Sequence, residues 1–365
     1  MKILLVSHRY SPDIGGVEEV VSAQSRILAD RGHEVRVVTT SKEVEKIGEF
    51  KENGVLVNRF SSFSPNNAYF YSRKIEIFLK AIVGEYDIIH AHNYHAFPAL
   101  HAYRSRGSKP YVLSAHYHGG SHHAIRNMLL KPYKLVSRKM VEGADSVVCV
   151  SQSEMQLLKS DFELSNAHVN HNAIELQTEQ RDKDKDAICV LGRLEKYKNV
   201  DRTIEGIERA IRLNGKGITL HIIGEGPDRP RLERLVENKG LTERVIFHGF
   251  LSKEEKDAII GSCSIMITMS GYESFGITII EAANQDLRVI ASDIPPHREL
   301  AGILGEGVSL VDSSNVGTIS KTIIETMKKE NPPKYEKISE FGWERNVDRL
   351  LEIYNKTIFG FENSI

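Results

Sequence analysis

The alternation of short apolar runs with amphipathic segments constrains this chain more than any other feature of its sequence. The first forty residues hold one complete unit: "KILLV", the polar loop "SHRYSPDIGG", a segment with apolar residues at helical spacing, and the apolar run "EVRVVTT". A strand, loop, helix and strand in this order build a parallel sheet. The same order continues through "YDIIHAH", "PYVLSAH" and "SVVCVS".

A polar stretch, "ELQTEQRDKDKDA", interrupts this pattern, and we predict a linker at residues 176–186. The alternation then restarts with six more strand-like runs: "AICVLGRL", "ITLHIIGEG", "RVIFHGF", "CSIMITMS", "RVIASD" and "GVSLVD". A chain of 365 residues is long enough for two domains. We therefore predict an α/β protein with two doubly wound, Rossmann-like domains, residues 1–175 and 187–345, that face a central cleft.

The last helical pattern, about residues 346–365, has no strand after it. A helix of a doubly wound domain normally leads into the next strand of its sheet. We therefore expect this helix to cross back and pack on the N-terminal domain.

Composition excludes several classes of protein. The formal net charge is −1 and no basic stripe is visible, so a nucleic-acid partner is not expected. The N-terminal apolar run is too short for a signal peptide, and no run approaches the ~20 apolar residues of a membrane span. These features predict a cytoplasmic protein. Cys149, Cys189 and Cys263 each lie in an apolar run, which favours buried free thiols.

The loops after the predicted strands carry glycine, histidine and basic residues. In open parallel sheets, ligands bind outside the carboxyl ends of the strands. Glycines let backbone amides approach an anion closely, and basic side chains offset its charge. The ligand that best fits these parts is a diphosphate. The residues concerned are Gly15, Gly16, His92, His116, Arg193, Lys198 and Gly224 to Gly226.

The stretch "GYESFGITIIEA", residues 271–282, places two glutamates around a predicted helix start near Phe275. Amides at that start point out of the helix and favour an anion. Glu273 and Glu281 would lie ~12 Å apart along the helix axis, on either side of the anion. Carboxylates accept hydrogen bonds from hydroxyl groups, and a nucleotide sugar has hydroxyls on both sides of its diphosphate. The spacing therefore predicts a sugar nucleotide as ligand.

Several motifs together resemble the GT-B retaining glycosyltransferases of family 4. The C-terminal half contributes "RLEKYKN", "IGEGP", "VIFHGF" and "YESFGITIIEA", the last of which matches the E-x7-E motif of that family. The N-terminal half contributes "SPDIGGVEEVV", "HAHNYH", "PYVLSAH" and "HNAIE". The resemblance covers nearly the whole chain.

The resemblance implies a role for each matching residue. Glu273 would lie by the donor sugar and Glu281 would hold the ribose hydroxyls. Arg193 and Lys198 would neutralise the leaving diphosphate, and His116 would lie at the sugar. The implied catalytic residues are His116, Glu273, Arg193 and Lys198. The implied donor-binding residues are Gly15, Gly16, Arg193, Lys198, Gly224, Gly226, Ser274, Phe275, Gly276, Ile277 and Glu281.

The resemblance also implies a reaction. A sugar would move from a nucleoside diphosphate, most readily UDP or GDP, to a lipid-linked, saccharide or small-molecule acceptor. The anomeric configuration would be retained by front-face substitution, without a carboxylate nucleophile, a cofactor or a metal ion. The alternatives that the residues leave open are a nucleotide-sugar epimerase or hydrolase, a non-catalytic sugar-nucleotide-binding protein, and a Rossmann-type dehydrogenase.

Two departures from the family pattern affect these expectations. The usual Lys-Gly pair after the basic loop is Lys198-Asn199, which we expect to change only the loop geometry. The usual Gly-x-Pro before "RVIAS" is replaced within "QDLR", residues 285–288. We place this second departure near the nucleotide pocket, so it weakens any prediction of the base.

Three further stretches admit a functional and an ordinary interpretation. The histidines of "HYHGGSHH" could bind zinc and the D-x-D of "DKDKD" could bind magnesium, but neither has the expected context, and we favour ordinary surface roles. The segment 126–140 could contact the inner face of a membrane, because it mixes basic and apolar residues. We favour an ordinary amphipathic helix with its apolar face in the core, because Pro132 interrupts the membrane-binding pattern.

Overall fold

The computed structural model describes residues 1–13, 15–65, 69–117, 133, 136–177, 182–215 and 217–363. The chain forms two compact units. The N-terminal unit comprises Met1–Ala173 and Trp343–Ile365, and the C-terminal unit comprises Ile174–Gly342. Each unit contains one sheet with helices packed on it.

The sheet of the N-terminal unit has eight strands in the order β3-β4-β2-β1-β5-β6-β7-β8. Every neighbouring pair is parallel except β3 and β4, which form an antiparallel hairpin. The strands are β1 Lys2–Val6, β2 Glu34–Ser41, β3 Gly48–Glu52, β4 Val55–Ser61, β5 Ile88–His92, β6 Tyr111–Ser114, β7 Ser146–Cys149 and β8 Ala167–Val169. The helices are α1 Gly16–Asp30, α2 Arg73–Ile82, α3 Phe97–Ser105, α4 Gln152–Asp161 and the tail helix Trp343–Glu362.

Strand β1 shows how this sheet is buried on both faces. Leu4 and Val6 join a core cluster with residues of α2 and α3. Ile3 and Leu5 join a second cluster with residues of α1 and the tail helix. Successive side chains of a strand point to opposite faces, so a strand that is apolar at every position needs helices on both sides.

The tail helix packs against the N-terminal unit through an apolar stripe that includes Val347, Leu350, Ile353 and Tyr354. Polar contacts accompany the stripe: Gln24 Nε2 donates to Asn346 Oδ1 at 2.9 Å, and Tyr354 OH lies 2.6 Å from Nδ1 of His90 in β5. The tail helix therefore supplies the layer that covers the second face of the N-terminal sheet.

The sheet of the C-terminal unit has six parallel strands in the order β11-β10-β9-β12-β13-β14. The strands are β9 Asp184–Leu191, β10 Thr219–Ile223, β11 Val245–Gly249, β12 Cys263–Thr268, β13 Arg288–Ser292 and β14 Val308–Val311. The helices are α5 Val200–Asn214, α6 Arg229–Asn238, α7 Lys253–Ser262, α8 Ile277–Asn284, α9 Pro295–Leu304 and α10 Val316–Met327.

The predicted fold class, two doubly wound α/β sheets, is confirmed. The order of strands 2-1-5 and 10-9-12 changes direction at β1 and at β9, as in other doubly wound sheets. The loops that follow the strands at such a reversal lie at one edge of the sheet. The residues predicted to bind the donor therefore cluster within each unit.

Strand β9 begins at Asp184, inside the stretch predicted to be a linker. Residues Lys185 and Ala187 accept hydrogen bonds from Ser264 Oγ at 3.0 and 3.2 Å through their backbone oxygens, which ties this charged segment to β12. The linker is therefore shorter than the polar composition indicates. The D-x-D motif enters the strand at its amino end, and residues 178–181 lie outside the described part.

Candidate functional site

The start of α8 forms the centre of the candidate site in the C-terminal unit. Gly276 is the N-cap residue and has φ +103°, a left-handed conformation that favours glycine. Among the described residues, no side chain makes a capping hydrogen bond at this helix start. Phe275 is buried, and its ring lies 6.1 Å from that of Phe341, which anchors the loop before the helix. The first helical residue is Ile277, two positions after the predicted start. The amides of a helix's first turn favour an anion.

Glu273 and Lys198 form an ion pair beside this helix start. Lys198 Nζ lies 2.5 Å from Glu273 Oε1, and Ser270 Oγ donates to the same oxygen at 2.9 Å. The two charged side chains are only 16% and 17% exposed, so water screens the pair weakly. Sequence reasoning gave these residues separate tasks, whereas the structure brings their charged groups into contact.

The loop that carries Lys198 is tied to the loop that carries Glu273. Asn199 has φ +49° and its Nδ2 donates to Met269 O at 2.9 Å, while Gly271 N donates to Tyr197 O at 2.8 Å. Asparagine adopts the left-handed conformation more readily than most residues. The departure from Lys-Gly therefore keeps the conformation that glycine would allow and adds a hydrogen bond.

Arg193 lies in the same loop region but points to solvent. Its side chain is 76% exposed, and Nη2 donates to Glu195 Oε1 at 2.8 Å. Gly224 and Gly226 have a packing role, because a Cβ atom at either position would collide with the backbone oxygen of Gly192 or Leu194. The close contact between these two loops is sufficient reason for glycine at both positions, and no ligand is needed to account for it.

Glu281 is also paired with a lysine. Lys256 of α7 donates from Nζ to Glu281 Oε1 at 2.7 Å, and the two side chains are 32% and 23% exposed. Ser274 and Ile277 are half-buried between the two glutamates. Sequence reasoning missed Lys256, since nothing in the pattern of α7 indicates which residue of α8 it meets.

Two residues behind the Glu273 loop, Ser292 and His297, were also missed. Ser292 Oγ, at the end of β13, donates to Ser270 O at 2.5 Å. His297 of α9 lies beside Ser292, with its Nδ1 2.9 Å from Ser292 O. The sequence gives no sign of either contact, because Ser292 ends an apolar strand and His297 lies in the first turn of a helix.

The placement of residues 285–288 near the nucleotide pocket is wrong. They precede β13 at the amino end of the strands, whereas Glu273 follows the carboxyl end of β12. Asp286, Arg288 and Lys183 line a cavity of about 250 Å³ there. The departure from the family pattern therefore does not bear on recognition of the base.

In the N-terminal unit, His116 follows β6 with φ +47°, a strained value for a residue with a side chain. His92 Nδ1 lies 3.4 Å from His116 Nε2, and the two rings stack with centroids 5.7 Å apart. His92 is completely buried, and burial holds its pKa well below the usual range. The neutral imidazole of His92 therefore stacks on the ring of His116 and holds its position.

Gly15 and Gly16 stand at the start of α1, and Glu18 folds back over Gly15. Burial raises the pKa of Glu18 and lowers that of His8 to about 3, where Arg9 and His116 add smaller effects. His8 Nε2 lies 3.6 Å from Glu18 Oε1. A Cβ atom at Gly16 would meet open space within 4 Å. Sequence reasoning missed both His8 and Glu18.

No group of three or more histidine, cysteine, aspartate or glutamate side chains is arranged for a metal ion among the described residues. His118, His122 and His123 of the zinc hypothesis lie outside them. Most of the segment 126–140 also lies outside, but its described members Tyr133 and Met140 are buried in the core of the N-terminal unit. Within the part that the structure describes, no helix has the length and apolar character needed to cross a bilayer.

Two sequence families match the two halves of the chain. The family described as "Glycosyltransferase Family 4" matches residues 14–178, and "Glycosyl transferases group 1" matches residues 173–345. Together they span nearly all of both units. The chain belongs to glycosyltransferase family 4.

Characterised relatives match this family-4 glycosyltransferase over most of their length. Alpha-monoglucosyldiacylglycerol synthase of Streptococcus pneumoniae is 24% identical over 97% of this chain and 85% of its own. GDP-mannose:cellobiosyl-diphosphopolyprenol alpha-mannosyltransferase of Xanthomonas oryzae pv. oryzae is 23% identical over 98% and 97%. The structure of Anabaena HepE in complex with UDP superimposes with a TM-score of 0.70 at 16% identity, over 98% of this chain and all of that one. The chain therefore has the GT-B fold and is a glycosyltransferase.

Proposed function

We propose that this glycosyltransferase moves a sugar from a nucleoside-diphosphate sugar to an acceptor hydroxyl and retains the anomeric configuration. The observation that carries the proposal is the joint presence of the uncapped α8 start, Gly276 and the Lys198–Glu273 pair in one loop cluster. A diphosphate needs counter-charges and close backbone amides, and a sugar needs a carboxylate acceptor for its hydroxyls. This cluster offers all three.

Charge at the leaving group is offset by residues of the chain itself. As the bond between the anomeric carbon and the diphosphate oxygen breaks, negative charge grows on the diphosphate. Lys198, Arg193 and the amides of the α8 start stabilise that charge, so no cofactor or bound cation is required. Arg193 would turn from Glu195 toward the ligand, which its exposed side chain permits at little cost.

The hydrogen bonds of Glu273 favour front-face substitution over a covalent enzyme intermediate. Its Oε1 already accepts from Lys198 Nζ and Ser270 Oγ, and two donors make a carboxylate oxygen a weak nucleophile. The acceptor oxygen then attacks from the side that the diphosphate leaves, and its proton passes to the departing diphosphate oxygen. A carbon–oxygen bond forms to the acceptor as the bond to the diphosphate breaks, and no covalent enzyme intermediate is needed.

The remaining predicted residues complete the donor site. Glu281 accepts from the ribose hydroxyls with the lone pairs that Lys256 leaves open. Ser274, Phe275 and Ile277 line the helix start, and Gly224 and Gly226 hold the adjacent loop. In the N-terminal unit, we assign His116 to the sugar and Gly15 and Gly16 to the diphosphate, as the family resemblance implies.

We further propose a lipid-linked acceptor. The names of both relatives contain a lipid, a diacylglycerol in one and a diphosphopolyprenol in the other, and both specify an alpha product. Glucose and mannose nucleotides carry an α-linked diphosphate, so an alpha product from such a donor means retention. A peripheral contact with the membrane surface would bring the enzyme to this acceptor.

A thermal-shift panel tests the donor. The panel contains UDP-glucose, UDP-galactose, UDP-N-acetylglucosamine, GDP-mannose and ADP-glucose. Sugar nucleotides with one particular base should raise the melting temperature of the protein, since a ligand that binds only the native state stabilises that state. The Lys198→Ala variant should lose this shift, while the control Lys239→Ala, on the far side of the C-terminal unit at the end of α6, should keep it. No shift with any sugar nucleotide would contradict the proposal.

A further inference from the structure

His297 lies completely buried in the first turn of α9, next to the start of α8. Its Nδ1 is 2.9 Å from the backbone oxygen of Ser292. A carbonyl oxygen can only accept, so Nδ1 carries the hydrogen. Burial lowers the pKa of His297, and the nearby charge of Glu273 opposes this effect only in part. The imidazole is therefore neutral, with a bare lone pair on Nε2.

A directed chain of hydrogen bonds leads from this imidazole to Glu273. Ser292 Oγ donates its hydrogen to Ser270 O at 2.5 Å, so at 3.1 Å from His297 Nδ1 it can only accept. Ser270 Oγ then donates to Glu273 Oε1 at 2.9 Å. The direction of every link follows from the acceptor at its end. His297 and Ser292 therefore hold the backbone of Ser270, and the side chain of Ser270 holds Glu273.

The other edge of the ring supports Gly276. His297 Nε2 is buried and has no hydrogen-bond partner in the described structure. A Cβ atom at Gly276 would lie 3.1 Å from His297 Cδ2 and 3.4 Å from Nε2. Any side chain at that position would push against the ring. The imidazole therefore packs against Gly276 at the start of α8 and also helps to position the Glu273 loop.

We propose that His297 is a positioning residue for sugar transfer, which holds the Glu273 carboxylate through Ser292 and Ser270 and supports Gly276 at the start of α8. The proposal rests on the proposed function, because it assumes that Glu273 acts on the donor sugar. We assign the ring no direct contact with the donor, because its observed neighbours are Ser292 and Gly276. Its loss should therefore misplace Glu273 and lower turnover more than donor affinity.

Two variants separate positioning from simple packing. His297→Asn keeps an N–H donor close to the position of Nδ1, whereas His297→Leu fills similar space without a donor. Ser292→Ala removes the next link and serves if the leucine variant does not fold. The matched control is His221→Leu, since His221 also makes a hydrogen bond, at 2.9 Å to His248 Nε2, but lies in β10 away from Glu273.

The readout is release of nucleoside diphosphate by hydrolysis of the sugar nucleotide that stabilises the protein most, with water as acceptor. His297→Leu and Ser292→Ala should lower kcat about two- to ten-fold with a small change in KM, the range expected for lost hydrogen bonds between neutral groups. His297→Asn should recover most of the loss, and His221→Leu should match the parent. In a Glu273→Ala background, His297→Leu should cause a smaller loss than in the parent, because only the support of Gly276 then remains to be lost.

Three outcomes would overturn the inference while the parent enzyme remains active. These are unchanged kcat in both His297→Leu and Ser292→Ala, no recovery with asparagine, and an equal loss from His297→Leu with and without Glu273. The last result would mean that the residue acts on stability or elsewhere, not through the carboxylate. If the parent itself consumes none of the sugar nucleotides, the proposed function fails first and this inference fails with it.

Discussion

At the scale of single residues, the candidate site is a set of carboxylates, each held by a lysine from another element. Glu273 pairs with Lys198, and Glu281 pairs with Lys256 of α7. The sequence identified both glutamates and Lys198, because they stand in a motif or follow a strand. It could not identify Lys256, Ser292 or His297, because those contacts depend on how separate elements pack and leave no spacing pattern along the chain.

The first prediction concerns Glu281. Glu281→Ala should remove hydrogen bonds to the ribose that are made equally in the ground state and the transition state. KM for the donor should rise about ten-fold with a smaller change in kcat, as expected for hydrogen bonds to a charged group. Steady-state kinetics with the donor found by thermal shift measures both constants. Lys256→Ala is the companion variant, and a fall in kcat with unchanged KM in both would contradict the assignment.

The second prediction concerns Glu273. Glu273→Ala removes the group at the sugar, where charge and geometry change during transfer, and leaves the Lys198 ammonium without its partner. We expect kcat to fall about ten- to a hundred-fold while donor binding changes little, because the lost contact matters most in the transition state. Calorimetric titration of the donor and single-turnover kinetics separate the two effects. Donor affinity lost in proportion to turnover would show that Glu273 only binds.

At the scale of elements, hydrophobic alternation identified the parallel strands but not the hairpin of β3 and β4. The turn of that hairpin is Asn53-Gly54, with φ of +47° and +80°. An Asn-Gly pair between strands is a strong hairpin signal. The strand before this turn, "GEFKE", lacks an apolar alternation, because β3 lies at the edge of the sheet and is mostly polar and exposed. Hydrophobic alternation therefore does not detect the hairpin.

The third prediction concerns the tail helix. Leu350 is completely buried against α1 and the N-terminal sheet, so Leu350→Ala should lower the free energy of unfolding by about 2–5 kcal/mol. The exposed neighbour Glu352 provides a control, since Glu352→Ala should stay within about 0.5 kcal/mol of the parent. Urea unfolding followed by circular dichroism measures both. Equal stability of the two variants would mean that the tail helix does not belong to the N-terminal core.

The fourth prediction concerns acid stability. His90 is fully buried between Tyr354 of the tail helix and Ser114, and burial lowers its pKa to about 3. Below its ordinary pKa of about 6.5, the unfolded chain binds a proton that the folded chain refuses, so stability falls as pH drops from about 6.5 toward about 3. The slope should be about 1.4 kcal/mol per pH unit for this group.

Substitution isolates the contribution of His90 to that slope. His90→Gln keeps hydrogen-bonding groups but does not titrate, so its free energy of unfolding should fall less steeply between about pH 6.5 and about pH 5. His8 and His92 remain in the variant and retain their own shares, since burial lowers the pKa of each. Denaturant unfolding at several pH values gives the slope. The same slope in parent and variant would contradict the assignment to His90.

At the scale of the whole molecule, two sheets of the same architecture divide the chain near the point where the two sequence families meet. The families overlap at residues 173–178, and the two compact units separate between Ala173 and Ile174. The first unit also takes back the C-terminal tail, which neither composition nor charge would indicate. The sequence indicates this return of the tail only through the lack of a strand after the last helix. That signal comes from chain connectivity and not from the local propensity of the residues.

The central claim is that residues of the chain, with no bound cation, carry the charge of the departing diphosphate. Its most direct test is the rate at which nucleoside diphosphate is released from the sugar nucleotide after the protein has been dialysed against EDTA and assayed in its presence. The rate should equal that of the untreated protein, and magnesium or manganese should not raise it. Complete loss of turnover in EDTA, restored by either cation, would contradict the account.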